Sequence, residues 1–204
     1  MSHRSRRLSS IDLKIVVLGS ASVGKTCLIH RFCNGSFLTS TLPTIGAGFF
    51  PHTMQIGETE ISMMLWDTAG EERFKSVAPS LLRGSNGLVL VYDVTSIQTF
   101  PEIDDYLNLF LDTAEYDPSM TLPVMLLGNK CDCEDRSVPR ETVDSWLDKH
   151  KVKHFAEVSA KTGDGIEEAF REFLSDFLNA QTKEEIPSIP INQPAPVEKK
   201  KCDC

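Results

Sequence analysis

The feature that most constrains this chain is an apolar run that ends in a glycine-bounded loop, residues 15–26. Four residues separate Gly19 from Gly24, and Lys25 and Thr26 follow directly. The β-branched run predicts a short buried strand, and residues 27–32 predict a helix. A strand, a glycine loop and a helix in this order cradle phosphate, because backbone N–H groups and the helix N-terminus point at one anion. The alternative is a plain turn with an incidental lysine, and the flanking strand and helix favour phosphate binding.

The two residues that follow Gly24 have expected roles. Lys25 would reach the outer phosphates, and the Thr26 hydroxyl would bind Mg²⁺. The predicted phosphate-binding segment therefore consists of Ser20, Ala21, Ser22, Val23, Gly24, Lys25, Thr26 and Cys27.

Length and charge exclude several classes of protein. The 204 residues suit one domain with tails, and no apolar run approaches the ~20 residues that a membrane-spanning helix needs. No apolar segment of a secretory signal follows the basic N-terminus, so we expect a cytosolic chain. The net charge is −8, which should repel nucleic acid. Six irregularly spaced cysteines without a signal sequence indicate reduced thiols.

Strands and helices are predicted to alternate along most of the chain. Phe49–Ile56 and Glu60–Trp66 predict a hairpin, and the Asp67 that follows is expected to support Mg²⁺ from the end of a buried strand. Later strands are predicted at 87–93, 124–127 and 154–158, and helices at 71–83, 101–115, 139–150 and 164–179.

This alternation predicts an α/β fold: a three-layer sandwich with a mostly parallel six-stranded sheet, one antiparallel edge hairpin and about five flanking helices. Ligands of such sheets bind beyond the carboxyl ends of the strands. The loops after the first, third, fifth and sixth strands should therefore meet at one edge.

Three regions are expected along the chain. Residues 1–10 carry three arginines and no acid, and we predict a flexible basic arm. Residues 11–180 would form the nucleotide-binding domain. Residues 181–204 contain four prolines among polar residues and predict a disordered tail that ends in a Cys-x-Cys motif, Cys202 and Cys204.

A second motif points to the base. In the segment from Asn129 and Lys130 to Asp132, a carboxylate can accept from both N1–H and the exocyclic amine of guanine, whereas adenine offers no such pair. The expected base is guanine. An ATP enzyme, such as a nucleotide kinase, is the competing class, and this motif opposes it.

Taken together, these motifs resemble the Rab family of Ras-superfamily small GTPases over residues 11–180. The resemblance rests on the segments 66–74 and 90–95 and on the C-terminal Cys-x-Cys. It implies that GTP or GDP binds with Mg²⁺. Thr44 would close onto Mg²⁺ and the γ-phosphate, Phe37 would pack against guanine, and Gly70 would donate its N–H to the γ-phosphate. The loop of Ser159, Ala160 and Lys161 would supply a backbone N–H for the guanine carbonyl oxygen.

The resemblance also implies a mechanism and partners. GTP would hold the switch I loop around Thr44 and the switch II segment after Gly70, and hydrolysis would release them. Implied partners are a guanine-nucleotide exchange factor, a GTPase-activating protein, a GDP-dissociation inhibitor, effectors at both switches, and a prenylation escort with its geranylgeranyltransferase. Geranylgeranyl groups on Cys202 and Cys204 would anchor a monomer to cytoplasmic membrane surfaces, aided by three adjacent lysines.

Two departures from the family pattern bear on catalysis, which we assign to Lys25, Thr44, Gly70 and Glu71. Glu71 stands where the family usually has a water-orienting glutamine, and its charge would lie near a developing anion. A carboxylate can also act as general base, so the sequence leaves the sign of the effect open. Ala21 stands at the position beneath the γ-phosphate where the family often has glycine or serine. Our hypothesis is slow hydrolysis.

A third departure lies on the expected partner surface. Leu81 stands where the family has a tyrosine of the effector-binding aromatic triad, while Phe49 and Trp66 are retained.

The sequence leaves two functions open: a switch for vesicle traffic that turns over GTP, or a constitutively GTP-loaded scaffold with negligible hydrolysis.

Overall fold

Six strands form one sheet in the computed structural model, which describes residues 9–40, 42–44, 46–68, 81–113 and 123–184. The strands are β1 (Ser9–Leu18), β2 (Ala47–Ile56), β3 (Thr59–Thr68), β4 (Gly87–Asp93), β5 (Val124–Asn129) and β6 (His154–Val158). Their order across the sheet is β2-β3-β1-β4-β5-β6. β2 and β3 pair antiparallel at one edge, and the other neighbours pair in parallel. The predicted sheet, including its edge hairpin, is confirmed.

Helices cover both faces of this sheet. The described residues contain α1 (Lys25–Asn34), α2 (Glu102–Thr113), α3 (Arg140–His150) and α4 (Ile166–Glu184), with a 3₁₀ turn at Ile97–Thr99. α1 and α4 pack on one face, and α2 and α3 on the other. The further helix that the sequence predicts at 71–83 lies mainly outside the described residues.

The central strands are apolar on both sides because both of their faces are buried. In β1, Ile15 and Val17 pack toward α1 and α4, whereas Val16 and Leu18 pack toward α2 and α3. This is the alternation that a pleated strand requires, and it gives continuous apolar runs in parallel sheets. The result is two separate cores that hold the carboxyl ends of the strands in fixed positions.

Both ends of the described domain extend further than predicted. β1 begins at Ser9 rather than near Ile15, because the long β2–β3 hairpin offers a partner for every residue from Ser9 to Val17. Residues 9 and 10 therefore belong to the sheet and not to a flexible arm. α4 continues past Asn179 to Glu184, since a helix already nucleated by its packed face extends readily through good helix formers.

Two strands also run further at their carboxyl ends. β3 includes Asp67 and Thr68, and β5 includes Asn129. All three polar side chains are therefore held by strand geometry and not by loops. They lie at the same edge of the sheet as the loop after β1, as the parallel topology requires.

Candidate nucleotide-binding site

The loop between β1 and α1 is packed so closely that two of its glycines admit no side chain. A Cβ on Gly19 would lie 2.1 Å from the carbonyl oxygen of Val91, and one on Gly24 would lie 2.4 Å from Asn129 Nδ2. Both glycines also have positive φ values, 149° and 97°. Gly24 caps α1 without a side-chain hydrogen bond, so the first N–H groups of α1 remain directed at the cavity.

Lys25 is buried beneath this loop. Its Nζ donates to the carbonyl oxygens of Gly19 at 2.7 Å and Ser20 at 2.8 Å. Burial lowers the pKa of Lys25 to about 8, against the charges of Asp67 and Glu102, which raise it. A buried cation whose hydrogen bonds go to neutral carbonyls is suited to a phosphate anion.

Ser20 faces away from the cavity. Its hydroxyl donates a 2.6 Å hydrogen bond to Glu102 Oε2 in the first turn of α2. The sequence reasoning placed Ser20 among the nucleotide contacts, but its side chain does not line the cavity. The contact ties the loop to a helix on the opposite face of the sheet.

Three oxygen-bearing side chains converge beside the first turn of α1. Thr26 Oγ1 lies 2.7 Å from Asp67 Oδ2 and 2.9 Å from Thr44 Oγ1, and Thr44 Oγ1 lies 3.3 Å from the same Asp67 oxygen. Asp67 is 1% exposed. Burial raises its pKa, against the hydroxyls of Thr26 and Thr44 and the charge of Lys25, which lower it.

The donor set fits Mg²⁺. The other carboxylate oxygen of Asp67, Oδ1, is buried and has no hydrogen-bond partner among the residues that the structure describes. Mg²⁺ prefers oxygen ligands and is usually held by one or two carboxylates together with substrate phosphates. The described residues contain no cluster of three or more His, Cys, Asp or Glu side chains, so a softer, protein-enclosed metal centre is not found there.

Asn129 and Lys130 join the phosphate loop to the base end. Asn129 Nδ2 donates to the carbonyl of Val23 at 2.8 Å, and its Oδ1 accepts the Ala160 N–H at 3.0 Å. Lys130 Nζ donates to the carbonyl of Ser22 at 2.9 Å. The side chains of Asn129 and Lys130 therefore connect the loops that follow β1, β5 and β6.

A residue that the sequence reasoning missed holds Lys130 in place. Asp93 Oδ2 lies 2.5 Å from Lys130 Nζ. Burial alone would raise the pKa of Asp93, but hydrogen bonds from Lys130 and Thr95 lower it overall. The carboxylate therefore stays ionised at the end of β4.

Asp132 is oriented from two sides. Ser159 Oγ donates to Asp132 Oδ1 at 2.6 Å, and Lys161 Nζ lies 3.5 Å from Oδ2. The Ser159 hydrogen bond and the nearby Lys161 lower the pKa of Asp132, against a smaller effect of burial. An ionised carboxylate is thus fixed at the base end of the site.

These groups surround one cavity of about 540 Å³. Of the predicted site residues, its lining includes Ala21, Ser22, Gly24, Lys25, Thr26, Cys27, Phe37, Thr44, Asn129, Lys130, Asp132, Ala160 and Lys161. Leu38, Thr39, Leu42, Pro43, Thr68 and Cys133 also line it, although their sequence context gave no signal. Val23, Asp67 and Ser159 are buried behind the lining.

Four predicted functional residues cannot be placed. Gly70 and Glu71, assigned to catalysis, lie outside the described residues, as do Cys202 and Cys204. Among the described helices, none combines the length and apolarity needed to cross a membrane.

Comparison with known proteins gives consistent similarities. A family model described as "Ras family" matches residues 14–179. Ras-related protein Rab-13 of Rattus norvegicus is 38% identical over 166 residues, which cover 81% of this chain and 79% of the relative. Ras-related protein Rab-7b of Homo sapiens is 35% identical over 83% of this chain and 84% of its own length. Ras-related protein Rab-10 of Diplobatis ommata is 36% identical over 85% of both chains.

Proposed function

This chain belongs to the Rab branch of the Ras family, the small GTPases that hydrolyse GTP to GDP, and on that premise we propose that the cavity of about 540 Å³ is its guanine-nucleotide site. As a family member the chain is a small GTPase switch in vesicle trafficking. The roles of its individual residues, its cation and its anchor are our proposals.

One observation carries the assignment of the cavity. The buried Lys25 and the Thr26–Thr44–Asp67 oxygens lie at one end, and the ionised Asp132 lies at the other. A carboxylate there can accept from two adjacent guanine donors, whereas adenine offers no such pair. The cavity therefore matches a nucleotide in both charge and base chemistry.

We assign Thr26, Thr44 and Asp67 as the protein groups that would hold Mg²⁺. When bound, this ion would neutralise negative charge on the phosphate oxygens. Lys25 would add its own charge to the outer phosphates, since its hydrogen bonds to the Gly19 and Ser20 carbonyls leave it a cation. Thr44 comes from the loop before β2, so the nucleotide state would decide whether this loop stays attached.

Hydrolysis would depend on residues at the γ-phosphate. We assign Gly70 as an N–H donor to that phosphate and Glu71 as the residue beside the attacking water. A carboxylate accepts but does not donate hydrogen bonds, and its charge opposes the developing anion. Ala21, which lines the cavity, adds bulk at the same place. We therefore propose slow intrinsic hydrolysis and a long-lived GTP state.

An extreme form of this proposal is a second candidate output. If Glu71 abolishes turnover, the chain would act as a GTP-loaded binding scaffold, and its signal would be effector binding alone. The presence of Glu71 in place of glutamine is the observation that favours it. A GTPase-activating protein that restores turnover would exclude this candidate.

Membrane attachment would come from the C-terminal motif. We propose geranylgeranylation of Cys202 and Cys204, delivered by an escort and a transferase, because two lipids anchor stably where one is marginal. Family membership supports regulators and effectors in general. We propose an exchange factor, a GTPase-activating protein and a GDP-dissociation inhibitor among them, with effectors reading the two switches.

Competition binding tests the proposed site. Fluorescent GDP bound to the purified chain would be displaced by unlabelled GDP and ADP, for the native chain, Asp132→Ala and Asp148→Ala. Asp148 is an exposed acid on α3 and serves as the matched control. We expect a strong guanine preference that only Asp132→Ala removes. Equal displacement by GDP and ADP in the native chain would contradict the proposal.

A further inference from the structure

Arg31 contacts three backbone carbonyls near the last turn of α1. Its Nε donates to the carbonyl oxygen of Ala160 at 3.0 Å, its Nη1 donates to that of Gly35 at 2.8 Å, and its Nη2 donates to that of Lys161. One guanidinium therefore links α1, whose first turn binds the phosphate end, to the loop that follows β6. Arg31 itself is not part of the cavity lining.

The contact with Ala160 fixes the direction of a neighbouring donor. The Ala160 carbonyl and the Lys161 N–H belong to one planar trans peptide, so they point in opposite directions. Arg31 holds the carbonyl from outside the cavity, and Ala160 and Lys161 both line the cavity. The Lys161 N–H, on the other side of that peptide, is therefore directed away from Arg31 Nε.

The preceding donor is already committed. The Ala160 N–H donates to Asn129 Oδ1 at 3.0 Å. Of the two adjacent N–H groups, the one on Lys161 is therefore the better candidate for a ligand oxygen. Sequence reasoning named the loop as the source of such a donor but could not say which peptide supplies it or what orients it.

The contact with Lys161 reaches the carboxylate as well. The Lys161 carbonyl shares its peptide with the Thr162 N–H, which donates to Ser159 Oγ at 3.0 Å. Ser159 Oγ in turn donates to Asp132 Oδ1 at 2.6 Å. Arg31 thus constrains two successive peptides, one that presents an N–H and one that supports the Ser159–Asp132 pair.

The turn after Lys161 packs closely against the side chain of Arg31. A Cβ on Gly163 would lie 3.5 Å from Arg31 Cδ, so the turn after Lys161 passes directly over the arginine stem. A lysine could reach one carbonyl, but it lacks the planar fork that serves several acceptors at once.

We propose that Arg31 is a positioning residue for base recognition, which aims the Lys161 N–H at the carbonyl oxygen of a guanine ring through its contacts with the Ala160 and Lys161 carbonyls. The inference rests on the proposed guanine-nucleotide site and deepens it. It assigns part of base selection to α1, a helix whose first turn belongs to the phosphate site.

A guanine analogue isolates this contact. In 6-thioguanosine diphosphate a sulfur, a weak hydrogen-bond acceptor, replaces the carbonyl oxygen, while N1–H and the exocyclic amine remain. Displacement of fluorescent GDP would give relative affinities for GDP and the thio analogue in the native chain, Arg31→Met, Arg31→Lys and Arg171→Met. Arg171, on α4, is the matched control. Like Arg31, it donates to a backbone carbonyl, that of Gln55, and it also donates to the side chain of Glu167.

We expect Arg31→Met to weaken GDP by roughly tenfold and the thio analogue by much less, since charge-assisted hydrogen bonds fix the donor. The GDP affinity of Arg31→Lys should lie between those of the native chain and Arg31→Met. The GDP affinity of Arg171→Met should match that of the native chain. Equal losses for both ligands would make Arg31 a general stabilising residue and overturn the inference, as would no loss at all. An absent GDP-over-ADP preference in the native chain would instead overturn the proposed function.

Discussion

The Ser159 hydroxyl donates a 2.6 Å hydrogen bond to Asp132 Oδ1, joining the loop after β6 to the loop after β5. Ser159 Oγ also accepts the Thr162 N–H at 3.0 Å. Ser159 is fully buried, so neither contact can be replaced readily by solvent. One hydroxyl therefore sets the direction of the carboxylate that we assign to base recognition.

Removal of this hydroxyl should weaken base binding. We expect Ser159→Ala to lower GDP affinity roughly tenfold, because it frees Asp132 and leaves the Thr162 N–H unpaired. Equilibrium displacement of fluorescent GDP measures the change. Ser145→Ala is the control, since the Ser145 hydroxyl also donates one hydrogen bond, but to the backbone carbonyl of Glu141 on the exposed face of α3. Equal affinities for the Ser159 variant and the control would contradict the assignment.

Asp67→Asn should uncouple nucleotide retention from Mg²⁺. The substitution keeps the shape of the side chain and removes the charge that, with Thr26 and Thr44, would hold the ion. We expect GDP release in millimolar Mg²⁺ to accelerate by about tenfold or more, approaching the rate seen with excess EDTA. Release rates with and without EDTA would be measured for both proteins. A variant that still needs EDTA for fast release would argue against this metal site.

Glu71→Gln should accelerate GTP cleavage. Like charges ~4 Å apart at an effective dielectric of ~20 repel by up to ~4 kcal/mol, and glutamine removes that repulsion and adds a donor. We expect an increase of about tenfold or more in the single-turnover rate. GDP release serves as the control, because it should stay unchanged. Equal cleavage rates would remove the proposal that Glu71 slows the reaction.

The two terminal cysteines should each accept one lipid. After incubation with geranylgeranyl diphosphate, the transferase and its escort, intact-mass analysis should show two added chains on the native protein. Cys202→Ser should accept one chain, and the double variant with Cys204→Ser none. Cys133→Ser, which alters an exposed cysteine of the described domain, should retain both. Modification of the double variant would refute the assignment.

His154 should make stability depend on acid pH. Burial lowers its pKa, against the charges of Asp176 and Glu172, which raise it. The unfolded chain therefore binds a proton before the folded chain does as the pH falls, and stability is lost from about pH 6.5 downward, toward the lower folded-state pKa. His154→Phe preserves the contact with Phe173 and cannot titrate. Its melting temperature, relative to that of the native chain, should rise below pH 6.5; parallel curves would rule this out.

Local patterns were enough to predict the order of elements. The apolar run of β1 and the periodic face of α4 each depend on neighbours in the chain, and the structure confirms the strand and the helix that they predict. Element ends were less predictable. β1 begins earlier because the β2–β3 hairpin pairs with it, and that partner lies some fifty residues away.

The sequence by itself determined the chemical types present: a lysine in a glycine loop, hydroxyl and carboxylate oxygens that we propose for a cation, and a carboxylate that we propose for guanine. Only the tertiary structure decided what orients them. Arg31, Asp93 and Glu102 act on residues 129, 37 and 82 positions away in the chain. Contacts of that kind leave no local pattern, because they arise only when the carboxyl ends of the strands and the neighbouring helices meet in space.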